Sequence, residues 1–444
     1  MRFCTTTLGC KVNQYETQAI ESLLKERGHE LKKLGEGNDV CIVNTCAVTA
    51  ESVRKSRQAI RRMKKHEPDA IIAVYGCYSQ LEPESILKLE ADIISGTADR
   101  QELVQRIETL ANAANESQFP DNKETLVIAA TEPQSPDITF EELPPGSASN
   151  RTRALLKIQD GCDNYCAYCI VPYARGRSRS LPLDRMVEYA KKLEEQGYNE
   201  IVITGIEISS YGKDFDQPQK NANHPLITAI KAISKAAPNS RLRLGSLDPA
   251  MLKDDFTKQL SEIPNLCNHF HISLQSGCDE TLQRMGRKCN TKQVQKAIES
   301  LRTYFKDCGI TADLITGFPG ETEEEFKQTL AFIENAAFSD MHIFPYSLRT
   351  GTKAEKMPNQ IDKNIRKERA KKAAASAKEM SADFKQAQIG KTASVLFEQE
   401  KDGLCIGHSS NYLEIAVKEK VGKNSIHNVK ITTIKNGVLT GEII

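Results

Sequence analysis

Residues 155–169 read LLKIQDGCDNYCAYC: an apolar run, a glycine, then Cys162, Cys166 and Cys169 in the spacing C-x3-C-x2-C. A short apolar run closed by a turn signal predicts a buried strand, and the loop leaving its carboxyl end carries all three thiols. That spacing lets one loop wrap an iron–sulfur cluster corner by corner. A zinc site would want a fourth Cys or His close by, and none follows until His224. Three thiolates on a four-iron cluster leave one iron open to a substrate or cofactor, whereas three cysteines that merely pack are the plainer alternative.

On the carboxyl side the same alternation recurs. LLKIQDG, IVITGIEI, RLRLGSL, HFHISLQS, ITADLITGFP and MHIFPYSL are strand-like runs separated by helical patterns near 184–196, 225–236, 250–263 and 322–335, with two more helices between the fourth and fifth runs. Six β/α units predict six parallel strands, in an open sheet or a partial barrel, with functional residues at the strands' carboxyl ends. DKNIRKERAKKAAASAKEMSADFKQAQ, from Asp362, reads as one long helix. TASVLFEQ, LEIAVK, HNVKITTIK and VLTGEII then predict a small antiparallel barrel.

On the amino side, RFCTTTLGC, VCIVNTC and AVYGC alternate with a helix closed by Gly28 and a basic helix around 51–65, and DIISG at 92–96 reads as a fourth strand. This is a second parallel α/β sheet. Cys10, Cys46 and Cys77 each end one of its apolar runs. Consecutive parallel strand ends share one edge of a sheet, so the three thiols are expected to converge there, with Gly9 and Gly76 permitting the tight turns. Buried cysteines that coincide by chance are the alternative. Cys4, Cys41, Cys267, Cys278, Cys289, Cys308 and Cys405 show no ligand spacing and read as packing or surface residues.

Prolines at 120, 133, 136, 144 and 145 amid polar residues mark a connector. The expected domains are therefore 1–115, a linker at 116–148, 149–380 and 381–444. The start MRFCTTTLGC lacks the order of a secretion signal, and no apolar stretch approaches about eighteen residues. A cytosolic protein with no membrane association is expected, and thirteen cysteines in a reducing compartment point to metal ligation rather than to disulfides. The net charge of +1 hides an asymmetry, because residues 353–444 hold 17 Lys and Arg against 11 Asp and Glu. Arg54, Arg57, Arg61 and Lys65 fall along one side of the basic helix and are candidate RNA-phosphate contacts.

With its aromatic Tyr168 before the last cysteine, the C-x3-C-x2-C loop on the first of six β/α units resembles the radical S-adenosylmethionine superfamily. The resemblance implies a partial (β/α)6 barrel whose open iron chelates S-adenosylmethionine and yields a 5'-deoxyadenosyl radical. It also points to Tyr168, Gly205, Glu207, Ser246, Gln275 and Asp313 as cofactor contacts, although Ile206 stands where the family usually has a second glycine. The stretches TLGCKVNQYET, NTCAVT, QDGCDNYCAYCIVPYARGRSRS and TGFPGET extend the likeness to the methylthiotransferases, above all those acting on N6-threonylcarbamoyladenosine beside the tRNA anticodon. That family implies a flavodoxin-like amino-terminal domain, a carboxy-terminal TRAM barrel that binds RNA, and two 4Fe–4S clusters, on Cys10, Cys46 and Cys77 and on Cys162, Cys166 and Cys169. It further implies S-adenosylmethionine as both methyl donor and radical source, a sulfide source, tRNA as substrate, an electron donor such as flavodoxin or ferredoxin, and a monomer. No general base stands out. Rival expectations are action on N6-isopentenyladenosine or on a ribosomal-protein aspartate, and a non-catalytic iron–sulfur RNA-binding protein.

Overall fold

The computed structural model describes residues 1–115, 126–127, 138–146, 151–215 and 224–444. Its first sheet follows from the apolar runs of the amino-terminal hundred residues. Strands β1 (Arg2–Thr7), β2 (Glu30–Leu31), β3 (Val40–Thr45), β4 (Ile71–Gly76), β5 (Ile93–Ile94) and β6 (Leu126–Val127) lie in the order β2-β1-β3-β4-β5-β6. Every pairing is parallel. Through β5 this is the flavodoxin-like order.

Strand residues alternate between the two faces. Val43, Ile72 and Val74 pack with Val53, Ile60 and Met63 of α2 (Ala50–His66). Phe3, Ile42 and Ala73 pack with Ile20 and Leu24 of α1 (Lys11–Glu26) and with Leu103 and Ile107 of the helix Arg100–Asn115. Helices on both faces bury the central strands completely, as near-continuous apolar runs require.

The chain divides into two compact units, and the division is not linear. Gln159–Leu181 and Leu348–Glu355 belong with Met1–Ala148, while Ser149–Ile158, Pro182–Ser347 and Lys356–Ile444 form the second unit. The cysteine loop at 162–169 thus sits in the same unit as the amino-terminal sheet. Most of the expected linker lies outside the described residues; within its range, β6 joins the first sheet and Leu143 accepts a hydrogen bond from the Tyr15 hydroxyl at 2.6 Å.

In the second unit all six expected runs are present as parallel strands, but the third is split, so that seven strands form two sheets. Arg153–Lys157, Glu200–Thr204 and Arg241–Leu244 make one, and Ser246–Leu247, His269–Gln275, Gly309–Thr316 and Asp340–Pro345 the other. The break falls at Gly245, whose amide donates to Ile203 O at 2.8 Å. The long helix runs over Lys363–Gln386, with the Asp362 side chain accepting from Asn364 N at its start. Beyond it, Thr392–Lys401, Leu404–Ser409, Glu414–Val417, Ile426–Lys435 and Val438–Ile443 close a barrel. Its pairings are antiparallel except the one joining Glu414–Val417 to Val438–Ile443, which is parallel.

Candidate metal centres and cofactor site

The strand order places β1, β3 and β4 side by side, and each delivers one thiol at its carboxyl end. Cys10 is the residue before α1, Cys46 directly follows β3, and Cys77 opens the short helix Cys77–Leu81. The turns depend on glycine. Gly9 has φ +102° and faces Cys46, where a Cβ would lie 2.9 Å from the Cys46 Cβ and 3.0 Å from its Sγ. Gly76 has φ +108°, and a Cβ there would meet Asn44 Oδ1 at 2.5 Å. Both positions need a left-handed backbone and no side chain.

Burial pushes the Cys77 thiol up to about 12, with the Arg175 guanidinium pulling against it and Cys46 and Cys10 adding to the rise. Cys10 has open surface, yet desolvation of its sulfur raises its pKa too, again opposed by Arg175. The three thiols therefore share one electrostatic environment. Among the described residues neither cysteine triad draws all its sulfurs within 4.8 Å of one another.

Arg175 is the residue that sequence reasoning missed. It ends the short helix Val171–Arg175, downstream of the Cys162–Cys169 loop, and is 1% exposed. Its guanidinium donates to Asn13 Oδ1 at 2.8 Å, to both Glu16 oxygens at 2.9 and 3.0 Å, and to Asp160 Oδ1 at 3.0 Å. Asn13 Oδ1 also accepts from Cys10 Sγ at 3.6 Å. Glu16 in turn pairs with buried Arg100 at 2.9 Å. One buried ion network thus joins the helix that follows Cys10 to the segment bearing Cys162, Cys166 and Cys169. The only sequence signal was its place in the run YARGRSRS.

Within that segment, Cys166 is buried and Cys162 and Cys169 are partly exposed. Cys162 N donates to Gly176 O at 3.0 Å and Cys169 N to Cys166 O at 2.9 Å, so the backbone folds the thiols around one turn. Tyr168 lies half-buried in the turn. Each triad provides three thiol donors, a set that fits a cluster with one iron left for another ligand. The seven other cysteines are buried, as in the pair Cys4–Cys41 inside the first sheet, whose sulfurs are 3.4 Å apart.

The remaining cofactor candidates lie in the second unit, Gly205, Glu207 and Gln275 at strand carboxyl ends, Ser246 at the start of Ser246–Leu247, and Asp313 within Gly309–Thr316 rather than at its end. Gly205 and Glu207 follow the strand Glu200–Thr204. Glu207 is buried; desolvation and then neighbouring Asp248 raise its pKa, and its carboxylate accepts from Ser209 N at 3.2 Å. Ser246 pairs in register with His271. Gln275 ends its strand at φ +73°, just past a register shift. That left-handed conformation is uncommon outside glycine and marks a position whose surroundings dictate it.

Asp313 is not alone, since it lies 3.1 Å from His271 Nε2 and 3.3 Å from His342 Nδ1. Burial disfavours its charge, but hydrogen bonds from the two imidazoles prevail and hold its carboxyl well below the usual range. These three are the described residues whose ligand atoms gather within 4.8 Å. The alternation at the start of HFHISLQ, which sends His269 and His271 to one face, was the available signal for His271.

On α2, Arg54 pairs with Glu51 at 2.5 Å, Arg57 Nε donates to the Tyr78 hydroxyl at 2.7 Å, and Arg61 and Lys65 are exposed. Among the described residues no helix is long and apolar enough to cross a membrane.

Comparison with known proteins agrees with this architecture. Residues 156–333 match the radical SAM superfamily, and residues 2–96 match the uncharacterized protein family UPF0004. The threonylcarbamoyladenosine tRNA methylthiotransferase MtaB of Bacillus subtilis is 35% identical over 97% of this chain and 93% of its own length. Its namesake from Thermotoga maritima is 35% identical over 98% and 95%. A tRNA-2-methylthio-N(6)-dimethylallyladenosine synthase of Clostridium novyi is 31% identical over 100% and 96%. Among solved structures, the radical S-adenosylmethionine methyltransferase TsrM of Kitasatospora setae overlays with a TM-score of 0.56 at 15% identity, covering 80% of this chain and 76% of that one, a likeness of fold. Sustained identity along both whole lengths, over a sheet edge that gathers three thiols, shows that this chain belongs to the radical S-adenosylmethionine tRNA methylthiotransferases, in the MtaB group.

Proposed function

We propose that the chain converts N6-threonylcarbamoyladenosine, next to the anticodon of tRNA, to its 2-methylthio derivative. The observation that carries this reading is the convergence of Cys10, Cys46 and Cys77 on one edge of a parallel sheet, in the same compact unit as Cys162, Cys166 and Cys169. Each triad would hold one 4Fe–4S cluster. With S-adenosylmethionine, the clusters supply the one-electron cleavage, the sulfur and the methyl group that no side chain provides.

The chain's own groups bind and orient. Three thiolates on one sheet edge concentrate negative charge, and Arg175 is placed to offset it from within the fold. Gly9 keeps the space beside Cys46 clear. Glu207, its charged form disfavoured by burial, would regain that form against an ammonium group, which suits the amino group of S-adenosylmethionine. Tyr168, Gly205, Ser246, Gln275 and Asp313 complete the proposed cofactor contacts. Arg54, Arg57, Arg61 and Lys65, together with the carboxy-terminal barrel, would hold the RNA. The same reading takes the protein as a cytoplasmic monomer reduced by a flavodoxin or ferredoxin and supplied with sulfide.

The test begins with iron. Anaerobically reconstituted protein should hold about eight iron atoms per chain and Cys46→Ala about four. Cys166→Ala should abolish release of 5'-deoxyadenosine, whereas Cys46→Ala should retain release and lose the methylthio product. Mass spectrometry of tRNA from cells lacking the protein should show loss of the methylthio-threonylcarbamoyl nucleoside. Loss of the methylthio-dimethylallyl nucleoside instead would overturn the substrate assignment.

A further inference from the structure

A cavity of about 380 Å³ opens along α2, and its charge is lopsided. Arg54, Arg57 and Arg61 line it from the helix, Arg349 lines it from the segment Leu348–Glu355, and Glu82 is the one carboxylate among the lining residues. Arg349 stands apart from the helix arginines. It is 8% exposed, and its Nε is buried without a hydrogen-bond partner. Its guanidinium approaches Glu82 only to 3.6 Å, and Arg57 approaches the same carboxylate only to 3.8 Å. Both separations exceed a good charge-assisted hydrogen bond. A buried arginine with an orphaned donor is costly unless something else completes its contacts.

The walls of this cavity lead to the cysteines. Ser56, on α2, accepts from Cys46 N at 3.3 Å. Tyr78, which binds Arg57, follows Cys77. The segment carrying Arg349 is fastened by Ala354 N to Ala167 O at 2.8 Å, and Ala167 lies between Cys166 and Cys169. We infer that this arginine cavity binds a backbone phosphate of the tRNA loop that carries the modified nucleoside, with Arg349 as the fixed anchor and Arg57 and Arg61 as its partners. Guanidinium forks match phosphate oxygens in shape and charge, and a phosphate placed there would draw Arg349 and Arg57 off their long contacts with Glu82. Because the walls connect to both cysteine triads, one anchored phosphate would register the RNA against both centres at once. The inference rests on the tRNA reading above and adds Arg349 to it.

The test measures RNA binding by the reconstituted full-length protein, using fluorescence anisotropy of a synthetic anticodon stem-loop at several potassium chloride concentrations. Arg349→Gln should weaken binding about tenfold and lower the slope of log K against log salt by about one. Arg61→Gln, a change at an exposed site that the fold tolerates, should lower the slope similarly. Stem-loops with one loop phosphate at a time replaced by a neutral methylphosphonate should reveal a position that costs the wild type its affinity and costs Arg349→Gln nothing. Unchanged affinity and slope in both variants, or methylphosphonate losses equal in wild type and variant, would overturn the inference while leaving the tRNA reading intact. If the wild type fails to bind the stem-loop, the tRNA reading itself falls and takes this inference with it.

Discussion

Glu200 offers the sharpest quantitative test of how the carboxy-terminal barrel is held. It is fully buried at the start of the second strand of its unit, and it accepts from Arg241 Nε at 2.5 Å and from Arg243 Nε at 2.8 Å. Those two arginines then reach the carboxy-terminal barrel. Arg241 donates to Ser394 O and His408 O at 3.2 and 2.8 Å, and Arg243 donates to Ser410 O and Ser409 O at 3.0 and 3.1 Å. Burial alone would raise the Glu200 pKa, but Arg243 and Arg241 bring it down to about 2 from an ordinary 4.5. A folded pKa below the unfolded one stabilises the fold fully above pH 4.5, and that stabilisation is lost as pH falls toward 2. The size is about 3 kcal/mol at neutral pH. Glu200→Gln should cost that much, because it strands two buried guanidiniums. By the same linkage the gap between wild type and variant should shrink by about 1 kcal/mol at pH 3.5. Hydrogen exchange followed by mass spectrometry isolates the affected region: peptides spanning Glu200–Thr204 and Leu404–Ser409 should lose about a hundredfold in protection at pH 7. A loss below tenfold, or a gap independent of pH, would refute the idea that this ion triad holds the barrel.

Two further outcomes follow from buried charge. Arg175→Gln removes the cation between Glu16 and Asp160 and should destabilise its unit by about 3–5 kcal/mol, with iron content falling below that of the wild type under matched reconstitution; Arg175→Lys, which cannot make the same set of bonds, should rescue little. Full iron retention in Arg175→Gln would show that the network does not support the cysteines. Asp313→Asn should weaken S-adenosylmethionine binding about tenfold, measured by calorimetry on reconstituted protein. Unaltered affinity would remove Asp313 from the cofactor contacts and leave it as an anchor for His271 and His342.

What the sequence disclosed, and what it withheld, divides by the range of the forces involved. Cys10, Cys46 and Cys77 were legible because each is set by local chemistry, an apolar run that must become a buried strand and, at two of the three, a glycine that permits a turn no other residue makes well. The six runs that form strands in the second unit were legible for the same reason, and so was the long helix with its Asp362 cap. The break at Gly245 was not, because strand curvature leaves no mark on hydrophobic alternation. Nor were β2 and β6, two-residue strands held by the edge they join rather than by their own composition.

Arg175 and Arg349 were hidden for a deeper reason. A buried arginine is tolerated only where acceptors await it, and two partners of Arg175, Asn13 and Glu16, are about 160 positions earlier in the chain. Arg349 belongs to an eight-residue piece that joins the first unit after the Pro182–Ser347 stretch of the second one has intervened. Sequence periodicity speaks of faces within an element and is silent on which element a returning loop will meet. The proposed ligands could therefore be named from local pattern, a C-x3-C-x2-C spacing for one triad and the ends of three apolar runs for the other, and so could the arginines of α2, while Arg175 and Arg349 emerge only when the chain is folded back on itself. Substitutions that disturb chemistry without touching a cysteine should therefore fall at returning arginines such as Arg175 and Arg349 as well as along the basic face of α2.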